Sequence, residues 1–275
     1  MAMTDVAERR KRGQDKAGGW GETVRTVVYA VLIAVVVRTF AIEPFNIPSG
    51  SMIPTLLIGD YLFVSKYSYG YSKHSFPFSM GLFPGRIFFT EPQRGDVAVF
   101  KYPGDQGQGY NRTDYIKRIV GMPGDRIKMT NGLLYINGKA VERTRIGEYN
   151  RGNGFGRKGT LYDEVLPNGV SHEILETSDN QSSDNTPEFL VPAGHYFAMG
   201  DNRDDSLDSR TQLQIRDGMG VIRLRDELGW YVPAENLVGR AEFIFFSHDP
   251  SAAGWLEPWK WPQAIRWNRF FKGIH

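Results

Sequence analysis

Asp114-Tyr115-Ile116-Lys117-Arg118-Ile119-Val120-Gly121 is a β-branched, largely apolar run that ends at Pro123-Gly124. Its length and its turn punctuation predict a strand rather than a helix. A lysine in the middle of such a strand is unusual, because lysine is rarely buried. Similar short runs lie on both sides of it. Tyr61–Lys66 alternates, and Asp96–Tyr102 is β-rich and stops at Pro103-Gly104. Leu133–Val141 reads as a hairpin whose turn is Asn137-Gly138, a pair that tolerates the left-handed backbone of a tight turn. Glu188–Met199, Glu235–Ala241 and Glu242–Ser247 complete the set. Gly at 31 and Pro at 15 of 275 residues supply the turns. The fold class expected is mainly β.

The exception lies near the N-terminus. Thr26–Ile42 is apolar with Arg38 as its one charge, and as a helix it would reach about 25 Å. Arg9, Arg10, Lys11, Arg12, Lys16 and Arg25 precede it. Trp20, Phe40 and Phe45 sit where interfacial aromatic residues belong. The sequence after the run, R-T-F-A-I-E-P-F, lacks a small-x-small cleavage site. An uncleaved transmembrane signal anchor is therefore expected. The positive-inside bias would keep the N-terminus in the cytoplasm and export the rest.

Composition removes several function classes. Lys plus Arg is 33 and Asp plus Glu is 31, a net charge of +2, which argues against nucleic acid as a partner. There is no cysteine, so thiol catalysis, disulfides and cysteine-held metals are excluded. The five histidines show no metal-ligand spacing, so no metal site and no cofactor are expected.

The chain divides by composition into six stretches: a basic N-terminus (1–25), the anchor (26–42), a first core part (43–125), an inserted variable subdomain (126–190), a second core part (191–254) and a C-terminal segment (255–275). Within these, 142–187 is rich in Gly, Asn, Ser and charge and reads as long loops or a peripheral subdomain inserted into the core, and 211–228 reads as a further insertion. The last segment interleaves Trp255, Trp259, Trp261, Trp267, Phe270 and Phe271 with Lys260, Arg266, Arg269 and Lys272. That pattern suits a membrane interface, and equally a terminal helix packed on the β core.

Three segments carry candidate chemistry. Ile47-Pro48-Ser49-Gly50-Ser51-Met52-Ile53-Pro54-Thr55-Leu56 follows the anchor, and its prolines and glycine hold a non-helical path. The second is the strand around Lys117. The third is Gly200-Asp201-Asn202-Arg203-Asp204-Asp205-Ser206-Leu207-Asp208-Ser209-Arg210, a polar loop directly after a strand. Each alone is a weak signal.

In this order the three resemble the boxes of bacterial type I signal peptidases. P-S-G-S-M-I-P-T-L stands at 48–56, K-R-I-V-G-M-P-G-D at 117–125, and G-D-N-R-D-D-S-L-D-S-R at 200–210, with Asp205 replacing the usual Asn. The resemblance implies an antiparallel β catalytic core with an inserted β subdomain, and a Ser/Lys dyad. Ser51 matches the nucleophile and Lys117 the general base. Ser49 matches an oxyanion-hole hydroxyl, and Ser206 the serine that orients the lysine. Asp208 and Arg210 match bracing residues, with Arg118 as further support. Exported preproteins with small residues at −1 and −3 are the implied substrates, on the outer side of a bacterial inner membrane. Phe45, Ile47 and Ile116 lie where they would line the substrate pockets. The insertion after Arg210 departs from the family pattern, in which the third box runs almost directly into the segment found here as Trp230-Tyr231-Val232-Pro233.

The chemistry is self-consistent. A serine hydroxyl needs a base, and a lysine serves only when neutral, so its pKa must fall by about 3 units from its usual value of about 10.4. Apolar burial supplies such a fall. Arginine does not deprotonate in proteins, which excludes Arg118 as the base. Lys101 is a rival base on sequence grounds. Ser247-His248-Asp249 spells a triad in a row, but adjacent strand residues point to opposite faces. Two other readings stay open: a non-catalytic anchored β protein that binds exported chains, and a relative that processes one dedicated substrate.

Overall fold

The computed structural model describes residues 19–75, 85–105, 113–149, 158–211, 214–216, 222–224, 230–253 and 257–275. An N-terminal helix, α1 (Gly19–Phe40), leads directly into strand β1 (Ile42–Asn46). The part of α1 that is apolar enough to cross a membrane is Trp20–Phe40, about 31 Å long. Its side chains are exposed all round except at Thr39. The helix starts seven residues before the expected Thr26, because Gly19–Arg25 continues it without a break. It ends two residues before Ile42, which already pairs with Ser65.

The main body is a seven-stranded antiparallel sheet in the order β1-β2-β18-β5-β6-β14-β17. Its further members are β2 (Asp60–Ser65), β5 (Val97–Lys101), β6 (Asp114–Gly121), β14 (His195–Met199), β17 (Val232–Pro233) and β18 (Leu237–Ser247). The mainly β reading is correct. β6 has the expected bounds.

Successive residues of the central strands serve different cores. Val97 and Val99 join Ile47, Met52, Leu62, Val64 and Ile244 on one face, while Ala98 and Phe100 join Tyr196, Trp230 and Val232 on the other. Val120 belongs to a third cluster with Ile127, Leu134, Ile136, Phe189 and Phe197. Strands buried on both faces read as continuous apolar runs, which is how Val97–Phe100 appears in the sequence.

The third cluster couples the main sheet to a four-stranded sheet, β13-β7-β8-β9. These strands are β7 (Arg126–Thr130), β8 (Leu133–Ile136), β9 (Lys139–Ala140) and β13 (Phe189–Leu190). The Asn137-Gly138 turn is present, with both residues at positive φ (54° and 76°). A three-stranded sheet, β10 (Glu142–Tyr149), β11 (Gly159–Val165) and β12 (Ser171–Glu176), lies in the stretch read as long loops or a peripheral subdomain. Its strands are rich in charge, and pairing between them organises a sequence with little apolar periodicity. Two small hairpins complete the set: β3 (Tyr71–Ser72) with β4 (Arg86–Ile87), and β15 (Gln214–Arg216) with β16 (Ile222–Leu224) in the 211–228 insertion.

Two expectations change. Glu188–Met199 is two strands, split by a turn in which His195 N–H donates to Pro192 O at 3.2 Å and Gly194 adopts φ +69°. Glu235–Ala241 and Glu242–Ser247 are one strand, β18, whose register shifts near Ala241 and Ile244 mark bulges. The C-terminal segment divides its aromatic residues. Phe270 packs on Phe246 (5.7 Å between centroids) and Ile274 enters the core, whereas Trp259, Trp261, Trp267 and Phe271 face outward. Trp255 lies outside the described residues.

Candidate active site

The segment after β1 begins under backbone restraint. Ile47 N–H donates to Asp60 O (2.8 Å) and Gly59 N–H to Ile47 O (3.0 Å). Met52, Ile53 and Leu56 then turn into the core, at most 1% exposed, which draws the intervening backbone tight against the sheet. Ser51 is thereby fixed on the floor of a cleft of about 970 Å³.

Lys117, in the middle of β6, reaches the same point. Its Nζ lies 2.6 Å from Ser51 Oγ. The side chain is buried, and burial pushes the amino group down to about 8. Asp208 and Asp201 oppose that fall, and Arg210 adds to it. At pH 7–8 an appreciable fraction of this amine is therefore neutral.

Around the pair the acidic groups are already matched. Arg118, the next residue of β6, is fully buried and grips Asp201 through Nε (2.9 Å) and Nη2 (2.8 Å). Arg210 grips Asp208 in the same way, at 2.9 and 2.8 Å, and Gly200 N–H donates to Asp208 at 2.9 Å. Despite burial, the arginines hold both carboxyls below the usual aspartate range. Two fixed arginine–carboxylate pairs thus leave Lys117 without a carboxylate of its own among the described residues.

Of the other expected residues, Ser49 is exposed, with its Oγ 3.4 Å from that of Ser51. Ser206 packs against Gly200, with its hydroxyl buried beside the Asp208 carboxyl. Phe45, Ile47 and Ile116 all line the cleft, together with Val99, Leu207 and Val238. The C-terminal end of α1 lines it too, at Val35, Arg38 and Thr39. Lys101, the rival base, is paired with Asp114 (2.8 Å). The residues of the linear triad part: Ser247 Oγ donates to Asp60 (2.6 Å), and the His248 ring stacks on Phe246.

The cleft offers two strand edges. β1 is the outer strand of its sheet. β14 pairs β6 only at Arg118, Ile119 and Gly121, so 114–117 has β5 on one side and no strand on the other among the described residues. An extended peptide can lie between such edges and borrow their backbone hydrogen bonds.

Two contributors were not foreseen. Asn202 holds the Ser51 loop by both its groups: its N–H donates to Ser51 O (3.1 Å) and its Nδ2 to Gly50 O (3.0 Å). Thr55 Oγ1 donates to Asp201 at 2.5 Å. Both residues lie inside quoted boxes, but only the folded contact gives them these roles.

The family described as signal peptidase, peptidase S26, matches residues 20–246. A protein named signal peptidase I from Rickettsia canadensis (strain McKiel) is 38% identical over 267 residues, covering 91% of this chain and 92% of its own. Another of that name, from Rickettsia conorii (strain ATCC VR-613 / Malish 7), is 38% identical over 276 residues, covering 93% of this chain and 92% of its own. The chain belongs to the signal peptidase family, peptidase S26, and is a serine endopeptidase.

Proposed function

We propose that this membrane-anchored peptidase removes signal peptides from exported preproteins by Ser/Lys acyl-enzyme catalysis, with Ser51 as nucleophile and Lys117 as general base. The observation that carries the assignment is the 2.6 Å approach of Lys117 Nζ to Ser51 Oγ on the floor of a peptide-sized cleft. With the amine neutral, the same contact runs in reverse, and the hydroxyl donates its proton to Nζ as Oγ attacks the scissile carbonyl. The Ser51 N–H and the Ser49 hydroxyl stabilise the developing oxyanion. The protonated amine then gives its proton to the leaving nitrogen. A water, deprotonated by Lys117, hydrolyses the acyl-enzyme and frees Ser51. Ser206, Asp208, Arg210 and Arg118 support the dyad, and Ser206 orients the lysine.

The substrate lies extended between β1 and the 114–117 edge, with its −1 and −3 side chains in shallow pockets formed by Phe45, Ile47 and Ile116. Small residues suit those positions because all three side chains already pack on the core. Val35 and Thr39 of α1 border the same cleft, which supports a site close to the bilayer, where signal peptide ends emerge. The N-terminus is cytoplasmic, and the β body stands on the outer side of the inner membrane.

The test is cleavage of a preprotein with alanine at −1 and −3 by the full chain in detergent. Wild type is expected to cut after the −1 residue, as read by mass spectrometry of both products. Ser51→Ala and Lys117→Met should be folded and at least about 10⁴-fold slower. Full activity in either variant would remove that residue from the dyad. Cutting at other positions would overturn the −1/−3 rule.

A further inference from the structure

Away from the cleft, three carboxylates converge where the three-stranded sheet meets the third box. Glu176 ends β12, Asp184 sits in the turn after it, and Asp204 follows Asn202 by two residues. One carboxylate oxygen of each lies within 4.8 Å of the others. Glu176 and Asp184 are at most 2% exposed. The outer oxygens are committed: Asp204 Oδ2 accepts from Thr177 N–H (2.6 Å) and Ser178 N–H (3.0 Å), and Asp184 Oδ2 accepts from Gln181 N–H (2.5 Å). The inner ones are not. Both Glu176 oxygens, Asp184 Oδ1 and Asp204 Oδ1 are buried without a hydrogen-bond donor among the described residues.

Buried acceptors are almost always satisfied, so four orphaned oxygens in one place need a cause. Arg143 Nη1 lies 3.3 Å from Glu176, and Asp179 shares that cation. Oxygens bound to one calcium ion at 2.3–2.6 Å sit at most about 5 Å apart, which matches the observed spread. The donors are all oxygen, the set that selects hard cations over zinc or copper.

We propose that Glu176, Asp184 and Asp204 bind one divalent cation of the calcium class. Glu176 binds through both oxygens, each aspartate through its inner one, and water completes the shell. The site joins β12 to the loop that holds Ser51. Leu175 N–H donates to Asp201 O (2.8 Å) and Arg203 N–H to Leu175 O (2.9 Å), so the strand is already stitched to that loop on the Asn202 side. The cation closes the far side, at Asp204.

The experiment is titration of calcium chloride into the chelator-treated full chain in detergent, read by calorimetry and by thermal unfolding. One-to-one saturation at about 10⁻⁴–10⁻³ M is expected, with a Tm that climbs as calcium rises. Asp184→Asn keeps the Gln181 hydrogen bond and Glu176→Gln keeps the shape, so both should fold, as judged by circular dichroism. Each should bind calcium about 10-fold or more weakly. Glu188→Gln, an exposed position paired with Arg126, should bind as wild type does. Absence of saturable binding of calcium, magnesium or manganese by wild type overturns the proposal. So does unchanged affinity in whichever of the two variants folds. Magnesium binding tighter than calcium overturns the calcium assignment.

Discussion

Lys117 Nζ and Ser51 Oγ stand 2.6 Å apart although the two residues are 66 positions apart in the chain. Neither side chain has been brought there by its own segment alone. Ser51 is held by the burial of Met52 and Leu56, and Lys117 by a strand locked between β5 and β14.

The rate should follow the neutral fraction of Lys117. Its amine titrates near 8, so kcat/KM should rise about tenfold per pH unit below that value and level off above it. A pH–rate profile on a signal-peptide substrate measures this directly. A profile flat from pH 6 to 9 would exclude Lys117 as the base.

The same burial costs stability. Lys117 is pushed from 10.5 to about 8, so the unfolded chain binds the extra proton between those values. Below pH 8 the buried ammonium destabilises the fold by roughly 3 kcal/mol, and the cost disappears as pH rises towards 10.5. Lys117→Met fills the space without the charge. It should be inactive yet more stable than wild type at pH 7, with the gain shrinking at pH 10, as seen in denaturant titrations at both pH values.

Breaking the Arg118–Asp201 pair acts in the opposite direction. Both residues are at most 1% exposed, and Asp201→Asn leaves the guanidinium buried with half its partner. A loss of about 3–5 kcal/mol is expected in urea unfolding. Activity should fall as well, because Asp201 also holds Thr55 beside the Ser51 loop. A variant as stable as wild type would mean that water replaces the lost charge.

Gly200 tests how tightly the third box is pressed onto the first. A Cβ there would collide with Ser51 O and with Ser206 Oγ, in each case closer than 3.0 Å. Gly200→Ala should cost about 1–3 kcal/mol by overpacking. It should also lower kcat by about 10²-fold through displacement of the serine. Thermal unfolding and steady-state kinetics on one preparation separate the two effects.

Much of this was legible in the chain itself. β6 could be read from Asp114–Gly121 because β-branched and aromatic residues flank Lys117 and Arg118 and Pro123-Gly124 ends the run. The Asn137-Gly138 turn could be read because few residue pairs accept positive φ in succession. The charged strands β10–β12 could not, since their order comes from pairing with each other rather than from a periodic apolar face. The split at Pro192–Gly194 was hidden inside a run that is apolar on both sides.

The sequence by itself determined the β class, the anchor helix and the three boxes with their serines and lysine, because local backbone preference and side-chain period are written residue by residue. Only the tertiary structure decided which lysine meets Ser51, and that the neighbouring arginines are spent on Asp201 and Asp208. The grip of Asn202 on the Ser51 loop and the convergence of Glu176, Asp184 and Asp204 arose there too. Burial and charge pairing depend on what surrounds a residue, and strands distant in sequence supply those surroundings.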